Sequence, residues 1–583
     1  MKMPKSASKL LSVILFVLLL ASLLVSYINY QNYNIILQNL VTNANYIVTP
    51  TNKGSYQVFS RADFSIIPSA TTNSANTSLN TAIALGGTIE IRAGNYTGAQ
   101  LIVPGNATIV AESGVTGIKY ESIANGAKID EPAFNAAFGA YDSGSFTIAT
   151  NANNTATDAK FYLAFKSDNS IYWFTTDAST VFQSVLNDST QGDIHIKPGI
   201  YDVSKTIDFP VDDKSLIGAG KEATLLYYNA PLGVMFNITR TPGSDTAIYI
   251  ENLAVRGDYG GTGILLQHAA GVHLENVIID RFRTGVNIKG NCYVDKFISC
   301  TIGGTDTNNA NNLEFDEMDG YIPSTIEIDV TDIGYNSVYG IIGTVNALWF
   351  HNSYIESTLS SAIFSTAITN SVFESSTITG STNGNAPLVS LLNGQNNTFS
   401  NNYFYTANVA AFALGSAHNH INDNNIIIDG AHGTGVLMFT GATYNIITGN
   451  TISTPEAYFA PISQQPTNTP DYNIVKNNDF SQSGKYLMGN LNVGGHTQIS
   501  GNLGFVTENT ILNIANTTET TFVFNHGLAD KPTSVQCSFD LAVGYTWTWS
   551  STTNQVMVTI TPNTNVTLPA TYHILSAYVQ FTP

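Results

Sequence analysis

Acidic side chains offer the chemistry in this chain, and their positions matter because they recur. Set in one column, Asn252, Asn276, Cys300, Ile328, Asn352, Ser376, Asn402, Asn424, Asn450 and Asn478 fall 22 to 28 residues apart. The residue before the column is Glu251, Glu275, Ser299, Glu327 and then His351. The residue four positions after it is Arg256, Asp280, Gly304, Asp332 and then Glu356. If successive repeats stack at β spacing, Asp332 and Glu356 stand about 5 Å apart, and so do Glu327 and His351. Carboxyls about 5–5.5 Å apart suit a retaining glycosidase, and about 6.5–9.5 Å an inverting one. Close carboxylates also push one pKa upward, as a general acid needs. Glu327, Asp332 and Glu356 equally make a hard-oxygen set for Ca²⁺, the one cofactor these residues suggest. His351 adds a group that titrates near neutrality. The plainer readings stay open. Arg256 beside Asp280 can be a surface ion pair of little energetic consequence, and carboxylates on a solvated strand face limit aggregation.

The element that would position these residues is a solenoid. Two places after the column lies an apolar or small residue each time, from Ala254 and Ile278 to Ile452 and Phe480. The late repeats share more: Asn397-Thr-Phe-Ser-Asn-Asn402, Asn445-Ile-Ile-Thr-Gly-Asn450 and Asn473-Ile-Val-Lys-Asn-Asn478. The period is too short for a propeller blade and lacks the apolar stripe of helical repeats. It fits one coil of a parallel β-helix, with about three short strands per turn and coils about 4.8 Å apart. Asn in such a column can bond to the Asn above and below, which satisfies polar groups at a bend inside the stack. Cys300 fits the same column as a small buried residue. The expected fold class is therefore all-β, a single-stranded right-handed parallel β-helix.

Composition agrees. Charged residues are 11% of the 583, against about 25% in ordinary soluble proteins, while 43% are hydrophobic, which excludes disorder. The 23 basic and 42 acidic residues give a net charge of −19, which argues against a nucleic-acid partner and against direct capture of polyuronates. Three Cys exclude a disulfide scaffold and a four-Cys zinc site.

Upstream of the coils, Gly87-Thr-Ile-Glu-Ile-Arg-Ala-Gly-Asn-Tyr96 matches Gly192-Asp-Ile-His-Ile-Lys-Pro-Gly-Ile-Tyr201, each after a short helix. The run Thr176–Asn187, Gly192–Phe209 and Leu216–Leu226 resembles the opening module of right-handed parallel β-helices of the pectate-lyase-like superfamily. The resemblance covers residues 171 to about 500. It implies lyases, glycoside hydrolases, tailspikes or non-catalytic surface proteins, with a polysaccharide as partner. Pectate lyases use carboxylate-bound Ca²⁺ and an Arg base, a role that Arg281 or Arg283 beside Asp280 would mimic. Polygalacturonase-like members carry a D-D pair, an H-G element and an R-x-K element. Here the D-D pair is Asp212-Asp213, before the ladder, and no R-I-K follows His432-Gly433. The acidic segment 304–324, with Glu314, Asp316, Glu317 and Asp319, reads as a solvated loop or as a loop over a groove.

The ends differ. Lys2, Lys5 and Lys9 precede the uncharged run Leu10 to Ile28, and the next charge is Lys53. Nineteen residues at about 1.5 Å each nearly span a bilayer core, which predicts a transmembrane helix with the N-terminus inside and the body on the extracellular face of the plasma membrane. A cleaved signal peptide is the rival reading. Nine N-x-S/T sequons suit an external surface. From about residue 504 the ladder gives way to alternating strands, similar to small β-sandwich modules that end phage tail fibres and archaeal β-helix proteins. Such a module could cap the coils, form a homotrimer or bind glycan, with Trp547 and Trp549 on one strand face as core or as a substrate-binding platform. The expected divisions are 1–30 anchor, 31–120 stalk and first β module, 121–192 linker and opening module, 193–503 β-helix and 504–583 tail. The expected function is a membrane-anchored surface protein that engages polysaccharide on a β-helix face, with cleavage by a lyase or glycoside hydrolase left open; the alternative is a non-catalytic surface rod or adhesin.

Overall fold

The structure, a computed structural model, describes residues 44–503, with breaks at 52–53, 63–64, 140, 143, 152–159, 189–191, 211, 304–310, 335–336, 357, 381–385, 407–409, 430–432, 455–460, 465–469 and 484–495. Beyond these it describes 508–512, 521–525, 534–539, 545–552, 555–562 and 576–582. The expected anchor at 10–28 and His432 lie outside the described residues. Among the described residues no helix is long and apolar enough to cross a membrane.

The chain divides into two compact units, Met1–Tyr141 with Leu163–Thr175, and Asp142–Tyr162 with Thr176–Pro583. In the first, a helix at Ala75–Ala84, capped by the Ser74 hydroxyl, leads into the strand Gly87–Ile91 of a five-stranded sheet. In the second, a helix at Ala178–Asn187, capped by Asp177, leads into Gly192–Ile196. The duplicated motif thus builds the same device twice. Tyr96 donates its hydroxyl hydrogen to the carbonyl of Arg92, and Tyr201 donates to that of Lys197. The second helix buries Val181, Phe182, Val185 and Leu186 and ties its Gln183 side chain to the backbone of Asp208 in the first coil.

From there to about residue 503 the second unit is a parallel β-helix whose coils carry three strands. Sheet I runs from Gly192–Ile196 through Tyr249–Glu251, Lys296–Ile298 and Ser324–Asp329 to Gln498–Ser500. Sheet II has eleven strands, from Gly199–Val203 to Thr451–Ser453. Sheet III includes Thr262–Gln267, Thr284–Lys289, Asn311–Asp316 and Ile363–Thr369. One long strand, Tyr339–His351, serves sheet III with its first residues and sheet I with its last. Strand residues alternate between core and solvent. In sheet II the inward column is Tyr201, Leu226, Val255, Ile279, Ile302, Ile333, Ile355, Ile378, Phe404, Ile426 and Ile452, all fully buried. Where sheet III faces this column, glycines make room. A Cβ on Gly285 would lie 2.7 Å from Ile302 Cγ2 and 2.7 Å from the Asn312 carbonyl oxygen.

The column set out from sequence spacing proves to be three columns. Asn252, Asn276 and Asn352 belong to a left-handed turn between sheets I and II, continued by Ser299, Val330, Ser375, Asn401 and Asp423. Cys300, Ser376, Asn402, Asn424, Asn450 and Asn478 lie one residue further on and point inward. Ile328 is a core residue of sheet I. The inward column is a true ladder. The Asn424 amide nitrogen side chain donates to Asn450 Oδ1 at 2.9 Å and to the Phe399 carbonyl at 2.8 Å, while Asn424 Oδ1 receives the Asn402 backbone N–H at 2.9 Å. Cys300 takes the ladder position as expected, and burial pushes its thiol up to about 12. A second ladder, unforeseen, stands at the turn from sheet III to sheet I: Ser371, Asn397, Asn419, Asn445 and Asn473.

Asp295 occupies that second ladder. Its Oδ1 accepts the Val272 N–H at 2.8 Å, while Oδ2 is buried with no hydrogen-bond partner. Burial pushes its carboxyl well above the usual range. The acidic segment at 304–324 is also not simply a loop: Asn311–Asp316 is a strand of sheet III. The tail forms two antiparallel three-stranded sheets.

Two predictions follow from the ladders. Asn424→Ala leaves buried backbone groups unpaired and should cost about 2–3 kcal/mol, measured as a lowered urea midpoint. For Asp295 the folded state binds its proton more tightly than the unfolded chain, so stability falls as pH rises above the unfolded value near 3.8. Asp295→Asn should raise Tm at pH 8 and change it little at pH 4; equal shifts at both pH values would refute this account.

Candidate functional site

On sheet II the register pairs Arg256 with Asp280, Thr301 with Asp332, and Asp332 with Tyr354. Glu356 therefore does not stack on Asp332. It adjoins Gly334, two places along, and the pair is diagonal rather than one coil apart. Tyr354 stands between them. Its phenol is pushed up by burial, and its hydrogen bond to Glu356 and the nearby Asp332 charge add to the effect. Asp280 is held by Arg256 in a bidentate pair, Nε to Oδ1 at 2.8 Å and Nη2 to Oδ2 at 2.8 Å. Arg281 adopts a left-handed turn and lies over the Tyr259 ring at 5.7 Å. Arg283 is exposed at the edge of sheet III, beside Thr284. Among the described residues no hydrogen bond or ion pair joins Asp280 to Arg281 or Arg283; its cation is Arg256.

Glu327 and His351 lie on sheet I, a different face from Asp332 and Glu356. The trio Glu327, Asp332 and Glu356 is therefore split, and among the described residues no three His, Cys, Asp or Glu side chains gather to hold a metal ion. On sheet I the register sets Glu327 beside Trp349 and Asp329 beside His351. His351 still reaches both carboxylates, Nε2 to Glu327 Oε1 at 3.5 Å and Nδ1 to Asp329 Oδ1 at 3.1 Å. Lys296 meets Glu327 Oε2 at 2.8 Å, and this bond, with His351, holds the Glu327 carboxyl below the usual range.

The richest polar cluster is on sheet III. Leu313 and Phe315 are buried, so Glu314 and Asp316 face outward from one strand. At about 3.3 Å per residue their Cα atoms are about 6.6 Å apart. Glu314 Oε2 accepts from Thr284 Oγ1 and from Asn311 Nδ2, each at 3.2 Å. Asp316 Oδ2 receives Asn287 Nδ2 at 3.3 Å and lies 3.4 Å from Lys289 Nζ. Asn287 is only 8% exposed, and its Oδ1 is buried without a hydrogen-bond partner. The sequence signal for this cluster was the alternation Leu313-Glu314-Phe315-Asp316, which a loop reading of the segment concealed.

In the tail, Trp547 and Trp549 pair with Ile560 and Val558 on the neighbouring strand. Directly opposed residues share a face, and Ile560 and Val558 are buried, so the tryptophans lie on the buried side, with Trp549 at 37% exposure.

These features define a parallel β-helix with three strands per coil. No known family profile and no curated protein sequence matches the chain. Among solved structures it is similar to the Geobacillus virus E2 protein ORF18, with 18% identity, a TM-score of 0.41, and 68% of this chain and 75% of that one covered. It is also similar to the DFA-IIIase of Arthrobacter chlorophenolicus A6 in complex with DFA-III, with 12% identity, a TM-score of 0.43, and 56% and 95% covered. The surface adhesin PfbA of Streptococcus pneumoniae is a third, with 12% identity, a TM-score of 0.38, and 56% and 88% covered. The likeness is to the coil, and no residue role comes with it.

Proposed function

We propose that this chain is a surface protein that engages an uncharged polysaccharide along its β-helix, gripping it at Glu314, Asp316, Asn287 and Lys289. One observation carries the reading: two outward carboxylates on one strand of sheet III, Glu314 and Asp316, the second held by Asn287 and Lys289. Each carboxylate accepts hydroxyl hydrogens at the lone pairs its present partners leave open. Fixed side chains arranged this way bind hydroxyls with little reordering. Two carboxylates on one strand also allow hydrolysis, one protonating the leaving oxygen while the other activates water. The net charge of −19 disfavours acidic glycans. In this reading residues 10–28 hold the protein to the membrane with its body outside, and the tail sheets form a small sandwich that ends the coils. Ca²⁺ is an addition to test, not a requirement of this site.

A second reading, a non-catalytic rod or adhesin, is favoured by the late coils. Their outward positions are mostly uncharged, as at Thr398, Ser400, Asn422, Ile446 and Thr448.

The test incubates purified protein with a polysaccharide panel, with and without Ca²⁺, following new reducing ends and ultraviolet absorbance. Reducing ends without absorbance are expected, and Glu314→Gln or Asp316→Asn should each lower the rate at least a hundredfold. Absorbance growing with reducing ends would indicate a lyase instead. Binding without turnover would leave the rod reading.

A further inference from the structure

We infer that the outer face of sheet I is a second carbohydrate-binding surface, centred on Trp349 and separate from the sheet III cluster. Trp349 is 50% exposed although it sits mid-strand in a regular sheet, with Leu348 and Phe350 fully buried on either side. Its indole is therefore fixed at its base by the strand and open at its face. An exposed ring held in this way is a platform for the apolar face of a sugar. Its strand neighbours in the column are Glu327 and Val372.

The groups around it suit hydroxyls. His351 lies two places along the same strand, bridging Glu327 and Asp329. Lys296 completes the row through Glu327, and Glu374 pairs with His351 on the far side. The Asn352 amide donates to Asp329 Oδ1 at 3.1 Å, so this carboxylate is held as well. The column continues past Lys296 and His273 to Tyr249, which is 40% exposed, its ring 5.4 Å from that of His273. From Tyr249 to Trp349 is four coil steps, or about 19 Å at the β spacing, with aromatic rings at both ends and polar groups between. This length fits a short oligosaccharide lying along the solenoid axis.

Charge limits the ligand. The face carries Glu251, Glu275, Glu327, Asp329 and Glu374 against Lys296. Burial and Glu275 raise the Glu251 carboxyl, a sign that negative charge is already crowded there. The occupant is an uncharged glycan. The surface does not depend on the sheet III reading, because the two clusters share no residue.

The test is affinity electrophoresis of the full-length protein in native gels containing neutral polysaccharides, with a polyuronate gel as comparison. Trp349→Ala should weaken retardation by the bound neutral glycan about tenfold, and Trp349→Phe should restore most of it. Unchanged Tm shows that the variants fold. Glu314→Gln with Asp316→Asn should keep the Trp349-dependent part. Equal retardation of wild type and Trp349→Ala, no retardation of wild type in any neutral gel, or retardation only by the polyuronate would each overturn the inference. Retardation lost with the sheet III double variant but not with Trp349→Ala would overturn it while leaving the sheet III reading intact.

Discussion

A turn inside a stack of coils has backbone groups that no strand can pair, and the rest of this structure depends on how they are satisfied. A buried N–H without a partner costs about 1–3 kcal/mol. The chain meets this with two inward columns, one at each of two corners. In the first, the backbone N–H of Asn402 bonds to Asn424 Oδ1, that of Asn424 to Asn450, and that of Asn450 to Asn478. In the second, Asn397, Asn419, Asn445 and Asn473 do the same. Asn is the residue for this because its short side chain both accepts and donates. In the earlier coils a hydroxyl does both: Ser353 Oγ accepts the Thr331 N–H and donates to the His351 carbonyl, and Ser376 Oγ accepts the Ser353 N–H and donates to that of Glu374.

Once the corners are fixed, the register of all three sheets is fixed, and with it the outer surface. Each coil places its outward residues directly over those of the last, so the faces become columns of chemistry. Sheet I gathers charge and Trp349, sheet II gathers Arg256, Asp280 and tyrosines, and sheet III gathers Glu314, Asp316, Asn287 and Lys289. A parallel stack therefore holds polar groups at near-constant spacing, which is the geometry a repeating polymer presents.

The same rigidity tolerates local strain and local acid. Val330 holds a left-handed turn at φ 49°, where a β-branched residue is strained, because the coils on either side leave it no alternative. Burial raises the Asp295 carboxyl because its ladder position offers it backbone N–H groups but no cation. Outside, His418, Tyr444, Tyr472 and His496 stack ring on ring, with centroids 5.1, 5.0 and 4.4 Å apart. These rings spend their faces on one another, whereas Trp349 keeps a face open.

The sequence alone determined the coil, its inward apolar columns, the late Asn ladder and the duplicated opening motif, since each depends on residue type at short range. The second ladder was also legible, as a second Asn five residues before each late ladder Asn. The register of the early coils was not. Ser299 and Val330 take equivalent turns 31 residues apart, while Asn276 and Ser299 are 23 apart. The extra residues are shared equally between the II-to-III and III-to-I connections, and spacing cannot say where a coil takes up added length. That slip put Glu356 over Asp332, joined Glu327 to a face it does not share, and left Glu314 and Asp316 in a loop. Only the tertiary structure decided which carboxylates meet, because hydrogen bonds between coils set the alignment.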